Sequence, residues 1–243
     1  MLEVCVEEGA GIAAAVQGGG DRMELCAGLS VGGLTPSASL IRLAAAAPIP
    51  TLMLARPRDG DFRYDTQEAA LIAQDITDAA EAGLAGVVIG ASNDAGGLDV
   101  SLLQQWVAHA RQEGEKRGRT LSLTLHRAFD LCADPLAAME QAITLGFDRI
   151  LTSGCQPRAI DGVETLGKLV RQADGRIIIL AGGGVDAASV PALLAAGVRE
   201  IHASCRAPLE AAGDAERRFG FQNGPRLRTN AEKVAQLRSL LPV

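Results

Sequence analysis

The stretch LSLTLHR at positions 121–127 alternates leucine with polar residues and ends on histidine and arginine. In an extended strand, successive side chains point to opposite faces. Leu121, Leu123 and Leu125 therefore share one face, and Ser122, Thr124 and His126 the other. The leucine face needs an apolar cover, and the flanking helical patterns at 101–117 and 135–145 can supply it. Similar short apolar runs recur at 3–6, 22–26, 51–56, 86–89, 149–152, 176–181 and 200–203. Helical patterns lie between them, among them 66–82 and 187–195, with a final one at 230–241. Ser101 and Asp134 stand where helix caps belong, and Asp186 could cap the helix after strand seven. Strand–helix alternation of this kind predicts parallel pairing with right-handed crossovers. About eight such units in 243 residues predict an α/β fold: one TIM (β/α)8 barrel spanning 1–243 as a single domain.

Composition narrows the function. Hydrophobic residues make up 48% of the chain but aromatics only 3%, so packing falls to Ala, Leu, Val and Ile. The net charge is −6 and no basic run interrupts the sequence. A nucleic-acid partner would need a positive footprint, so that class is excluded. The most apolar stretch, 43–55, is broken by Pro48 and Pro50 and is too short to cross a bilayer. The strand pattern begins at Leu2, which leaves no room for a signal peptide. Five widely spaced cysteines, an odd number, fit reduced thiols in a cytoplasmic protein.

In a closed barrel, alternate strand residues face the lumen. The parity that sends the leucines of 121–125 outward turns Glu3 with Cys5, Glu24 with Cys26, and Glu200 with His202 inward. Barrel interiors favour branched apolar residues, so buried carboxylates there mark a site or a salt-bridge network such as Glu24 with Arg56. Both remain open. Sites in this fold sit at the C-terminal strand ends. Reading there gives acid–base candidates Glu3, Glu24, His126 and Asp130, with Arg56 as an anion clamp. In HRAFD (126–130), Arg127 and Asp130 stand where they could orient the His126 ring.

AGGGVD (181–186) follows strand seven, where barrels often hold phosphate. Gly182, Gly183 and Gly184 could bring the amides of the last two onto an anion, helped by Ser204. A tight turn that needs glycine is the plainer alternative. A side chain at Gly183 would block the anion without harming the fold, provided φ there is negative. Cys5 and Cys26 have the same parity on consecutive strands, with Cα atoms about 5 Å apart if the register matches. Two soft thiolates suit Cu(I), and Zn²⁺ less well; two small residues filling space would look the same. The three lysines, Lys116, Lys168 and Lys233, all fall in helical patterns, which argues against a Schiff-base aldolase.

Taken in order, LEVCV, DRMELC, GGLTPS, RPRDGDF, LHRAFD, LTSGC and AGGGV, across nearly all of 2–204, resemble the copper homeostasis protein CutC family. Asp59 replaces a glycine of the family's RPRGGDF, HASC (202–205) is a variant of its serine-rich ending, and the residues after 204 match loosely. The resemblance implies a TIM barrel and a cytoplasmic homo-oligomer linked to copper homeostasis. It also implies Cu(I) as the partner, with Cys5 and Cys26 as its ligands. Two functions follow: a copper-binding protein, or an enzyme of lyase or isomerase type acting on a small phosphorylated or carboxylated metabolite.

Overall fold

In the computed structural model of the chain, which describes residues 1–209, 213–222 and 224–242, the alternating pattern becomes eight parallel strands closed into a barrel. They are β1 (Leu2–Val6), β2 (Arg22–Leu25), β3 (Thr51–Leu54), β4 (Gly86–Ile89), β5 (Ser122–Leu125), β6 (Arg149–Thr152), β7 (Ile178–Ala181) and β8 (Glu200–Ala203). Each pairs with its neighbours in sequence. β8 closes on β1 with Glu3 opposite His202, and β2 aligns on β1 with Cys5 opposite Glu24.

Boundaries moved where side chains or turns compete with the pattern. β3 ends at Leu54, so Arg56 lies above the ladder at the mouth. The helix expected at 101–117 runs Val100–Glu115, and Asp99 rather than Ser101 caps it by accepting from the Leu102 amide at 3.0 Å. The helix expected at 187–195 shortens to Val190–Ala195. Asp186 and Ser189 exchange side-chain-to-amide bonds of 3.0 Å, which hold the preceding residues in a turn. Pro135–Leu145 forms as expected, with Asp134 accepting from the amides of Leu136 and Ala137.

The parity reading holds along β5. Leu121, Leu123 and Leu125 are fully buried in the shell between barrel and helices, together with Trp106 and Met139. Inside the lumen a second, small apolar cluster joins Cys5, Cys26, Leu52, Leu54 and Val88. After β8, the antiparallel pair β9 (Arg206–Pro208) and β10 (Leu227–Thr229) leads to a helix, Ala231–Ser239. That helix packs on the first one, Gly9–Gln17, and buries Val234 and Leu237. Among the described residues no helix is long and apolar enough to cross a membrane.

The floor of the lumen is ionic. Arg22 donates through Nε to Glu3 Oε2 and through Nη2 to Glu200 Oε2 at 2.8 Å. Arg149 adds bonds to the same Glu200 oxygen at 3.0 Å and to Ser122 Oγ at 2.6 Å. The network expected around Glu24 and Arg56 does not form. Glu24 stands level with Leu52 in β3, and Arg56 lies four residues further toward the mouth, where it turns to backbone carbonyls. Arg22, one rung below Glu24 on the same face, joins Glu3 to Glu200 and reaches Glu24 only through its charge. Removing one partner of a buried ion cluster strands the others without compensation. Arg22→Met is thus expected to lower unfolding free energy by about 3–5 kcal/mol. Urea denaturation checks this, and a loss below about 1 kcal/mol, the size of an exposed pair, would contradict a structural role.

Candidate functional site at the barrel mouth

A cavity of about 350 Å³ opens at the C-terminal ends of the strands. Its walls come from successive units: Cys5 and Glu24 from β1 and β2, Arg56 and His126 after β3 and β5, Gly183 after β7, and His202 from β8. Of the residues read from the sequence, Gly184 and Ser204 also line it, whereas Glu3, Cys26, Asp130 and Gly182 do not.

Glu3 lies behind the wall and is fully buried. Its Oε1 is 2.8 Å from His202 Nδ1, while its Oε2 accepts from Arg22. Burial alone would raise its pKa, but the His202 bond and the Arg22 charge prevail and hold it at about 2. Glu24 sits one strand over and is 4% exposed. Its Oε2 lies 3.9 Å from His202 Nδ1 and has no hydrogen-bond partner among the described residues. Burial dominates there and raises Glu24 to about 7, helped by the charge of Glu3 and opposed by those of His202 and Arg22. Burial disfavours a charged His202, yet the Glu24 charge and the Glu3 bond outweigh it and raise its pKa well above the usual value. Two glutamates on adjacent strands thus have opposite protonation habits. Glu3 is the fixed anion and Glu24 the one that titrates near neutrality.

His126 takes the opposite state. It is 4% exposed, with its ring 4.7 Å from that of Phe62. Burial, reinforced by the charge of Arg56, lowers its pKa to about 3. Its Nδ1 accepts from the Ala128 amide at 3.1 Å, so in the neutral ring the proton resides on Nε2. Among the described residues that Nε2 has no acceptor. Asp130 does not orient the ring. Its carboxylate accepts from Arg127 Nε at 2.7 Å and from the amides of Ser153 and Cys155 at 3.1 Å, which ties the loop after β5 to the loop after β6.

Arg56 donates to the carbonyls of Val31, Gly33 and Gly60 at 2.8–2.9 Å and lies over the Phe62 ring at 4.8 Å. Among the described residues its buried Nε is left without an acceptor. The guanidinium mainly clasps two mouth loops, which limits what it can offer an anion.

The register places Cys26 one rung beyond Glu24, so it does not face Cys5 across the ladder. The sulfurs still approach to 3.7 Å, with Cys26 Sγ 3.4 Å from the Val6 carbonyl oxygen. Sharing a hydrogen bond with Cys26, together with burial, pushes the Cys5 thiol well up. Cys5, Glu24 and His202 also bring one potential ligand atom each within 4.8 Å of one another. His202, which strand parity turns inward, belongs to this site. Closing β8 onto β1 puts it beside Glu3, and that follows from barrel closure alone.

The protonation of Glu24 sets a pH dependence. The folded state holds this proton up to about pH 7, whereas the unfolded chain releases it near 4.5. The folded state therefore binds more protons in that window, and the Glu24 contribution to stability is lost as pH rises through it. Glu24→Gln mimics the protonated acid and is free of this loss. Its denaturation midpoint is expected to gain on wild type between about pH 5 and about pH 8. A constant gap between the two proteins would show that the carboxyl does not titrate there.

Known proteins share the family and the fold of this chain. The model of the CutC family matches residues 1–207. A CutC family protein from Agrobacterium fabrum is 46% identical over 243 residues, covering 99% of this chain and 94% of its own. One from Sinorhizobium medicae is 44% identical, covering 99% and 96%. The crystal structure of a CutC protein from Streptococcus agalactiae superposes with a TM-score of 0.76 at 30% identity, covering 84% of this chain and 98% of that one. An aldolase barrel at 15% identity, TM-score 0.63, shares the fold alone. The chain belongs to the CutC family.

Proposed function

We propose that the mouth of this barrel binds a small anionic carbonyl compound and moves a proton on the carbon beside the carbonyl. One observation carries the reading. Glu24 and His126 line the same cavity, and each has a buried polar atom, Oε2 and Nε2, with no partner among the described residues. Buried polar atoms normally find partners, so two unmatched ones beside one cavity point to a ligand that supplies them. Their protonation is complementary. A carboxyl titrating near 7 can serve as base and then as acid at neutral pH. A neutral imidazole with its proton on Nε2 can donate to a carbonyl oxygen.

The chemistry then runs within the side chains on the wall. The ionised Glu24 takes the proton from carbon, and the bonding pair moves to the carbonyl oxygen. The Nε2–H of His126 donates to the oxygen as it gains charge. Glu24 returns its proton to the same carbon, or, where that carbon bears a hydroxyl that becomes the new carbonyl and passes its proton to the first oxygen, to the former carbonyl carbon. His202, held by Glu3, places a positive charge beside Glu24 that favours its ionised state once the mouth is filled. The Cys5 thiol, protonated at neutral pH, adds an uncharged wall. The five free cysteines support a reducing, cytoplasmic setting for this work.

Copper binding is the second reading, favoured by the two sulfurs 3.7 Å apart with His202 and Glu24 nearby. Thiolate and imidazole suit Cu(I), and the Streptococcus agalactiae relative is named as a candidate copper homeostasis protein. Against it, Cys26 is fully buried, does not line the cavity and is within bonding distance of Val6. Copper would have to displace two thiol protons from a site that favours keeping the one on Cys5.

Two measurements separate the readings. Small phosphorylated and carboxylated carbonyl compounds incubated with the protein in heavy water should gain deuterium beside the carbonyl. Glu24→Gln should slow that exchange by about 10²–10⁴-fold, the usual worth of a positioned acid–base group. No exchange above background with any compound would remove the proton-transfer reading. For copper, Cu(I) is titrated under reducing conditions into wild type and the Cys5→Ser, Cys26→Ser double variant. A loss of at least about tenfold in affinity, roughly 1.4 kcal/mol, would support the thiol pair, and equal affinity would exclude it.

A further inference from the structure

We propose that the loop after β7 is a phosphate site, so that the carbonyl compound handled at the mouth is a phosphate monoester; this rests on the proton-transfer reading and names its substrate class. Gly183, Gly184 and Val185 line the cavity. Among the described residues, the amide N–H groups of these three consecutive residues donate to no protein acceptor. The loop itself is nevertheless fixed. The Gly182 amide is tied to the Thr152 carbonyl at 3.0 Å, and the Gly183 carbonyl accepts from the Ala159 amide at 2.8 Å. Unmatched amides on a clamped backbone are preorganised donors.

The conformation exceeds the needs of a turn. Gly183 and Gly184 both have positive φ, 103° and 66°. A Cβ on Gly183 would also come within 3.1 Å of Ser153 Cβ and 3.4 Å of the Arg127 guanidinium carbon. With φ positive, the condition under which Gly183 would accept a side chain without harm to the fold is not met. The Arg127 contact also shows how closely the backbone approaches a cation. The six-residue helix Val190–Ala195 begins too late and is too short to supply its positive end, so the amides act without it.

The neighbouring strand completes the donor set. Ser204, half-buried just past β8, lines the cavity and adds a hydroxyl to the same wall. Arg206 follows on the same wall. Among the described residues its Nε is buried without an acceptor, and an acidic neighbour, Glu7, stands at a loose 3.6 Å. Arg127 also lines the cavity, held by Asp130. Three amides, a hydroxyl and a guanidinium Nε make five donors. That number suits the three terminal oxygens of a phosphate monoester better than the two oxygens of a carboxylate. Glu24 and His126 line the same 350 Å³ space. A short phosphorylated carbonyl compound therefore fills both ends, with its phosphate at the β7 and β8 loops and its carbonyl near His126.

Amide NMR of the full chain, titrated with inorganic phosphate and then with a short alkyl phosphate, tests this. The Gly183, Gly184 and Val185 resonances should move together and saturate with one Kd in the millimolar range or below. Arg206→Gln should raise that Kd by at least about tenfold, as expected for loss of a charge-assisted bond. If that variant fails to fold, the wild-type titration still decides. Unmoved glycine amides at tens of millimolar phosphate would overturn the proposal, as would an unchanged Kd in folded Arg206→Gln. Deuterium exchange on a carboxylated compound without phosphate binding would retain proton transfer and remove only the phosphate site.

Discussion

The buried carboxylate of Glu3 organises this lumen. One oxygen faces His202 and the other accepts from Arg22, so a single anion on β1 links β8 on one side to β2 on the other. An unpaired carboxylate in such a place would take up a proton or expel the strand. Paired twice, it stays charged, and the two cations it holds in place shape what lies around it. Arg22 continues to Glu200 and Arg149, which makes the floor ionic and complete. His202 reaches the other way, toward the mouth, and meets Glu24.

Above that floor the polar atoms are deliberately incomplete by comparison. The floor pairs every charge it contains, whereas the working layer leaves Glu24 Oε2, His126 Nε2 and Arg56 Nε without partners. The same burial has opposite consequences for acid and base: it raises Glu24 and lowers His126, so both favour their neutral forms. The cation on His202 keeps Glu24 from rising further. The balance leaves one carboxyl that can change charge near neutral pH, beside an imidazole that does not. Cys5 completes this layer as a neutral thiol, which is also why the thiol pair offers a metal less than its short separation suggests.

Much of this was legible in the sequence because strand parity is a hard constraint. The leucines of 121–125 could face only the helices, and that reading turned Glu3, Glu24, Cys5 and His126 inward, where they are found. What was not legible depended on height along the barrel. Glu24 and Arg56 share a parity but stand four residues apart in strand register, so they do not pair, and Arg22 pairs with Glu3 and Glu200 instead. Asp130 was read beside His126 because it follows in sequence. A 3₁₀ turn over 127–131 instead carries its carboxylate to the β6 loop. Whether Gly183 tolerates a side chain turns on the sign of its φ, which sequence does not reveal and which is positive. The grouping of Cys5 with Glu24 and His202 likewise depends on closure of the barrel, which brings His202 across from the far end of the chain.

The division between a fixed and a titrating glutamate is the centre of this account, and carbon NMR of the side-chain carboxyls measures it directly. Across a pH titration of the folded protein, Glu3 should keep the signal of an ionised carboxylate down to about 2. Glu24 should change state around 7, well apart from the exposed acids. A Glu24 signal titrating with the ordinary carboxylates near 4.5, or a Glu3 signal that moves with it, would contradict the account.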